Sequence, residues 1–177
     1  VIQHLSPDFK SFMPEILSKK TSLQVLTATD KMPIHPNIIY LIPPRMNMEM
    51  RDYKLHLSEM QRSHVPNKPI DIFFKSMAED AGKNATAVIL SGTGSDGSYG
   101  IVEVSKAAGR VFVESTSSAK FDGMPSVAIA TGVVDGEGTP SQIAEEIFGN
   151  IPGSTDRPTK VPRSILLGSD ERVEIFN

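Results

Sequence analysis

Short apolar runs and helix-spaced apolar stripes alternate along most of this chain. Gln24 to Thr27 and Ile38 to Ile42 are brief runs with apolar centres, and Pro43-Pro44 closes the second. Ala87 to Leu90 and Val111-Phe112-Val113 are too short for buried helices and read as buried strands. Between them lie helical stretches. Pro69 to Ala81 carries Ile70, Phe73, Phe74, Met77 and Ala81 at helical spacing, with proline and Asp71 in its first turn and Gly82 to stop it. Ser98 to Ala108 reads as a helix ended by Gly109, and Pro140 to Phe148 as an amphipathic one. Phe9 to Leu17 reads as a short helix opened by Ser6-Pro7-Asp8, with Pro14 disturbing its middle.

Strands alternating with helices predict an α/β domain, doubly wound around a mostly parallel sheet in a three-layer sandwich. Residues 46 to 57 break the pattern. Polar and apolar residues alternate on both sides of Arg51-Asp52, which predicts an antiparallel hairpin excursion. Glu59 to Lys68 is polar and reads as a loop. Val1-Ile2-Gln3 reads as the end of a buried strand with no lead-in, so further sequence is expected to precede it in the intact protein. An edge left open by its loss would invite self-association.

The length of 177 residues fits one domain. Residues 1–148 hold all the periodic segments. Residues 149–177 open on a Pro-, Gly- and Ser-rich stretch and are expected to form a linker or tail. There is no cysteine, so thiolate chemistry and disulfides are excluded. A formal charge of −3 argues against nucleic acid as a partner. No apolar run is long enough for membrane insertion, and the expected location is cytoplasmic.

Two ionisable residues stand where such folds place chemistry, at the carboxyl ends of strands. His4 follows the first strand, and Asp96 lies in the loop Ser91-Gly92-Thr93-Gly94-Ser95-Asp96-Gly97. A histidine with a carboxylate behind it is a general base with a fixed tautomer. Each residue also has an ordinary structural reading, the histidine as a core side chain and the aspartate as a turn or helix cap. No histidines have metal-ligand spacing with a carboxylate, and no metal or cofactor is expected. The same loop matches G-x-G-x-x-G, with Glu114 ending the next strand, so a nucleotide-binding domain is a competing reading. Against it, Asp96 puts negative charge at the helix start, where a pyrophosphate would sit.

Five blocks, in order over about residues 1 to 148, resemble CheB-type protein-glutamate methylesterases. They are Val1 to Phe9, Tyr40 to Pro44, Pro69 to Ala78, Leu90 to Gly97 and Ser118 to Pro125. Thr93 and the block Ser-Ala-Lys-Phe-Asp-Gly-Met-Pro resemble the branch fused to a CheR-type methyltransferase and PAS sensors. The resemblance implies a Ser-His-Asp hydrolase acting on methylated chemoreceptor cytoplasmic helices, by ester hydrolysis and by glutamine deamidation. His4 and Asp96 match the catalytic histidine and aspartate. The serine is expected upstream of Val1, which would leave this chain inactive alone. Gly92, Thr93 and Gly94 match an oxyanion or cleft loop, and Gly123 and Met124 match a loop at the cleft rim. A non-catalytic interaction module that keeps the fold is the alternative.

Overall fold

Backbone pairing divides the strands into two parallel groups and one antiparallel group. The computed structural model describes residues 1–3, 11–60 and 67–149. In chain order the elements are α1 (Met13–Ser18), β1 (Gln24–Thr27), β2 (Met32–Pro33), β3 (Ile38–Leu41), β4 (Met46–Arg51) and β5 (Lys54–Glu59). They continue with α2 (Pro69–Ala81), β6 (Thr86–Ile89), α3 (Ser98–Lys106), β7 (Arg110–Glu114), α4 (Gly123–Ala130), β8 (Gly136–Gly138) and α5 (Pro140–Gly149).

The fold is α/β with mixed parallel and antiparallel sheets. β1 and β3 pair in parallel, with Val25 opposite Ile39. Val1 runs alongside the other edge of β3, its carbonyl accepting the Ile42 N–H at 3.2 Å. Residues 1–3 are not a strand, however, and the Val1 side chain is exposed, so the buried first strand expected from the sequence is not seen there. β6, β7 and β8 form a second parallel group in that order. Val111 and Val113 of β7 join the core cluster that holds Ile70, Phe74, Ile101 and Val104 from α2 and α3. Phe112, buried between them in sequence, points to the opposite face, where α5 packs on β7 and β8. Helices thus cover both faces of this sheet, and strands buried on both sides need no polar alternation.

The hairpin lies where the alternation predicts it. β4 and β5 pair in antiparallel register from Met46–Glu59 to Arg51–Lys54. Asp52 and Tyr53 form the two-residue turn, both with φ near +50° (52° and 53°), as a type I′ turn demands. The Asp80 carboxylate of α2 accepts both turn N–H groups at 2.8 Å, and Ser76 Oγ accepts the buried Met50 N–H at 2.9 Å. α2 is therefore pinned to the hairpin by polar contacts as well as by packing. A second core cluster of Ala28, Ile42, Met48 and Leu55 lies under this region, and Ile2 and Phe73 pack against both clusters.

Two local readings of the sequence change. Pro14 sits in the first turn of α1, where its missing N–H costs nothing, so the helix simply starts later than expected. The segment Ser6-Pro7-Asp8 lies outside the described residues, as does most of the polar loop before α2. α3 ends at Lys106, two residues before the expected Ala108. Ala108 takes the left-handed position, with φ of 61°. Gly109 N–H reaches back to Val104 O at 2.9 Å and Ala108 N–H to Ser105 O at 3.0 Å. This is a Schellman closure with alanine where glycine is favoured. Gly109 serves another need, since a Cβ there would stand 2.9 Å from Ala85 O and 2.7 Å from a Val104 methyl. Replacing Ala108 with glycine should therefore raise stability by about 0.5–1 kcal/mol, the relief of left-handed strain outweighing added chain entropy. Urea unfolding of Ala108→Gly against the parent checks this, and a lower midpoint contradicts it. No helix among the described residues is long and apolar enough to cross a membrane.

Candidate active site

β6 and β7 run parallel, so the loops after Ile89 and Glu114 leave the same edge of the sheet. The glycine loop is fixed at its start by the second of these loops. The buried Glu114 carboxylate accepts the Ser91 N–H at 2.8 Å, and Ser91 Oγ accepts the Phe121 N–H at 2.9 Å. Gly92 N–H donates to Phe121 O at 2.9 Å, and Met124 N–H donates to Gly92 O at 2.8 Å. A Cβ on Gly92 would collide with the Met124 sulfur, and one on Gly123 would stand 3.2 Å from Gly94 N. Gly123 thus lets two backbones approach closely, whereas at Gly92 it is the Met124 side chain that would have to move. The structure thus joins all five sequence-selected loop residues, Gly92, Thr93, Gly94, Gly123 and Met124, in one backbone-bonded unit. Thr93 and Gly94 form its exposed tip.

The end of the loop is held by a different element. Asp96 is buried at 7% exposure. Its Oδ2 accepts the Ile70 N–H at 3.0 Å and its Oδ1 the Asp71 N–H at 2.9 Å. The carboxylate therefore caps α2, a helix 25 and 26 positions earlier in the chain. In return, Asp71 Oδ1 accepts the Gly100 N–H in the first turn of α3 at 2.8 Å. Asp96 caps the helix that contains Asp71, and Asp71 caps the helix that follows Asp96. Asp71 Oδ2 is buried without a hydrogen bond, and Lys68 Nζ at 3.6 Å reaches it only as an ion pair. The same ammonium lies 4.5 Å from the centre of the Tyr99 ring. Burial pushes the Asp71 carboxyl above its ordinary value of 3.8, and the nearby Asp96 charge adds to the rise.

This cross-capping corrects the electrostatic argument made from sequence. Asp96 turns to α2, and the start of α3 is occupied by Asp71 instead. The helix N-terminus that a pyrophosphate would need already holds a carboxylate.

The CheB methylesterase family model matches residues 1–147. The chain belongs to the CheB methylesterase family. Its fold resembles the crystal structure of the Thermotoga maritima CheB methylesterase catalytic domain, with a TM-score of 0.73 and 26% identity over 82% of this chain and 79% of that one. A protein-glutamate methylesterase/protein-glutamine glutaminase of Photorhabdus laumondii is 32% identical over 139 residues, which cover 76% of this chain and 40% of that protein. One from Burkholderia pseudomallei is 30% identical over 165 residues, 91% of this chain and 45% of that protein. An uncharacterised 104.1 kDa protein of Rhodobacter capsulatus is 42% identical over 123 residues, 70% of this chain and 13% of that protein. The chain thus spans less than half the length of these sequence relatives.

Within this CheB domain, Gly92 is joined to the loop of Gly123 and Met124 by backbone bonds, and Asp96, at the end of the same glycine loop, is held by α2. His4 lies outside the described residues. Sequence reasoning read Asp71 only as a helix-dipole partner, and Glu114 only as the acid of a dinucleotide site. The one local signal for Asp71 was an acid in a proline-opened first turn. Nothing local pointed from it to Gly100.

Proposed function

We propose that residues 1–148 form the catalytic portion of a cytoplasmic protein-glutamate methylesterase. Its substrates are glutamate γ-methyl esters on chemoreceptor helices, with glutamine deamidation at such sites by the same chemistry. The observation that carries this reading is the buried Asp96, held by two backbone N–H groups beside a glycine loop, in a chain of this family.

In this reading the nucleophilic serine belongs to a segment outside residues 1–177. His4, directly after the Val1–Gln3 segment beside β3, takes the serine proton as the oxygen attacks the ester carbonyl. Asp96 stabilises the resulting imidazolium. The developing oxyanion meets backbone N–H groups of the glycine loop, and among the described residues no acceptor meets the Thr93 and Gly94 N–H groups. His4 then gives its proton to the departing methoxide, releasing methanol. Water attacks the acyl-enzyme by the same route, which frees the glutamate and restores the serine. The match to 13% of a 104.1 kDa relative supports a module within a longer chain. A CheR-type methyltransferase and sensor domains as its neighbours rest on the sequence resemblance alone.

Methanol release from methylated receptor tests this. The 177-residue chain should show no measurable release. A protein extended upstream should be active, and His4→Ala should remove about a thousandfold or more of its rate. Equal activity of the short and extended chains would overturn the placement of the nucleophile. A folded, extended protein without activity would favour the interaction module.

A further inference from the structure

We propose that Asp71 is a positioning residue for this esterase, fixing the loop that carries Asp96 from both sides. The inference rests on the reading of Asp96 as the catalytic aspartate. From the first turn of α2 the Asp71 N–H holds Asp96 Oδ1 at 2.9 Å. Its own side chain crosses to α3 and accepts the Gly100 N–H at 2.8 Å. One residue thus ties the helix that grips Asp96 to the helix that begins directly after it. The loop between them has two left-handed glycines, Gly94 at φ 84° and Gly97 at φ 95°, and would otherwise have freedom to shift.

A plain helix cap would not need this arrangement. It places two carboxylates against each other, partly buried, with one oxygen of Asp71 lacking a hydrogen bond and a single lysine at 3.6 Å. Like charges in such a site oppose folding. The close approach of the helices is also built in, because a Cβ on Gly100 would stand 3.1 Å from the Asp71 backbone and 2.6 Å from Phe74 Cβ. The start of α3 is therefore pressed onto the first turns of α2 at the point where Asp71 reaches across. What the arrangement secures is the position of Asp96. A displacement of about 1 Å in a catalytic group is worth roughly a hundredfold in rate.

The test uses the extended, active protein, with methanol release as the readout and rates expressed per folded molecule from urea unfolding. Asp71→Ala should lower kcat by about ten- to a hundredfold and leave KM within about twofold. Asp71→Asn, whose carbonyl oxygen can still accept from Gly100, should return kcat to within about threefold of the parent. Ser76→Ala serves as the stability control. It removes one of the polar contacts that pin α2 to the hairpin, strips the buried Met50 N–H of its acceptor, and should weaken the fold while leaving kcat per folded molecule unchanged. Normal kcat in Asp71→Ala, or no recovery in Asp71→Asn, overturns the proposal. If Asp96→Ala is itself fully active, the underlying reading of Asp96 has failed. If Asp96→Ala is inactive while Asp71→Ala is normal, that reading stands and only the positioning role is lost.

Discussion

Asp96→Ala in the extended protein is expected to lower methylesterase activity by roughly a thousand- to ten-thousandfold and to weaken the fold by about 1–2 kcal/mol at once. The two effects have separate origins. The catalytic loss comes from an imidazole without its carboxylate, left free in tautomer and orientation. The stability loss comes from α2, whose Ile70 and Asp71 N–H groups would lose the acceptors now at 3.0 and 2.9 Å. These are two of the orphan donors that every helix start must satisfy. Asp96→Asn separates the effects. It keeps an acceptor for one of the two N–H groups, so about half of the stability loss should return. It cannot stabilise an imidazolium, so activity should stay low. If both variants lose stability but keep full activity per folded molecule, Asp96 is a helix cap and nothing more. The sequence left both readings open, and the structure shows the cap. The kinetic measurement decides whether the same carboxylate also serves the chemistry.

What could be read from the sequence depended on whether an element carried its own signal. β7 is a run of β-branched and aromatic residues, and its position follows from that alone. The hairpin declares itself by alternation, and α2 by its stripe. α4 gives no such signal. Gly-Met-Pro-Ser-Val-Ala-Ile-Ala has one polar residue in eight, so no face stands out, and its helix forms where Pro125 and Ala128 are buried near α3, β6 and β7. β8 is Gly-Glu-Gly and exists because β7 offers an unpaired edge beside it. The two-residue β2 likewise depends on β5. The site divides in the same way. Asp96 was found from its place after a strand, and the glycines from their spacing. The contacts that fix them come from Ile70, Asp71, Glu114 and Phe121, which are distant in sequence, and no spacing along the chain pairs them with the loop. Asp71 shows the limit well, since an acid in a first turn is ordinary helix chemistry until the fold sets a second helix start beside it.

Gly97→Ala should be among the most damaging single changes in the loop, with an expected loss of about 2–5 kcal/mol. Two terms add. Gly97 stands at φ 95°, where any residue with a Cβ is strained by about 1–2 kcal/mol. Its new Cβ would also stand 2.7 Å from Ile89 Cδ1 and 2.8 Å from Ile70 Cγ2. Both isoleucines are core residues, Ile89 at 2% exposure and Ile70 at 6%, so neither methyl can move into solvent. Overfilling such a site costs about 1–3 kcal/mol. Gly94→Ala isolates the first term, because Gly94 has φ 84° and no atom within 4 Å of an added Cβ. It should cost only about 1–2 kcal/mol. Ile89→Val isolates the second by removing the colliding Cδ1 atom. Alone it should cost about 0.5–1.5 kcal/mol. Combined with Gly97→Ala, it should cost about 1 kcal/mol less than the sum of the two single changes. Urea unfolding of the four proteins in this cycle supplies the comparison. A strictly additive double variant would mean that the clash with Ile89 carries none of the effect, which would then come from backbone strain and from Ile70, whose Cγ2 stands 2.8 Å from the added Cβ.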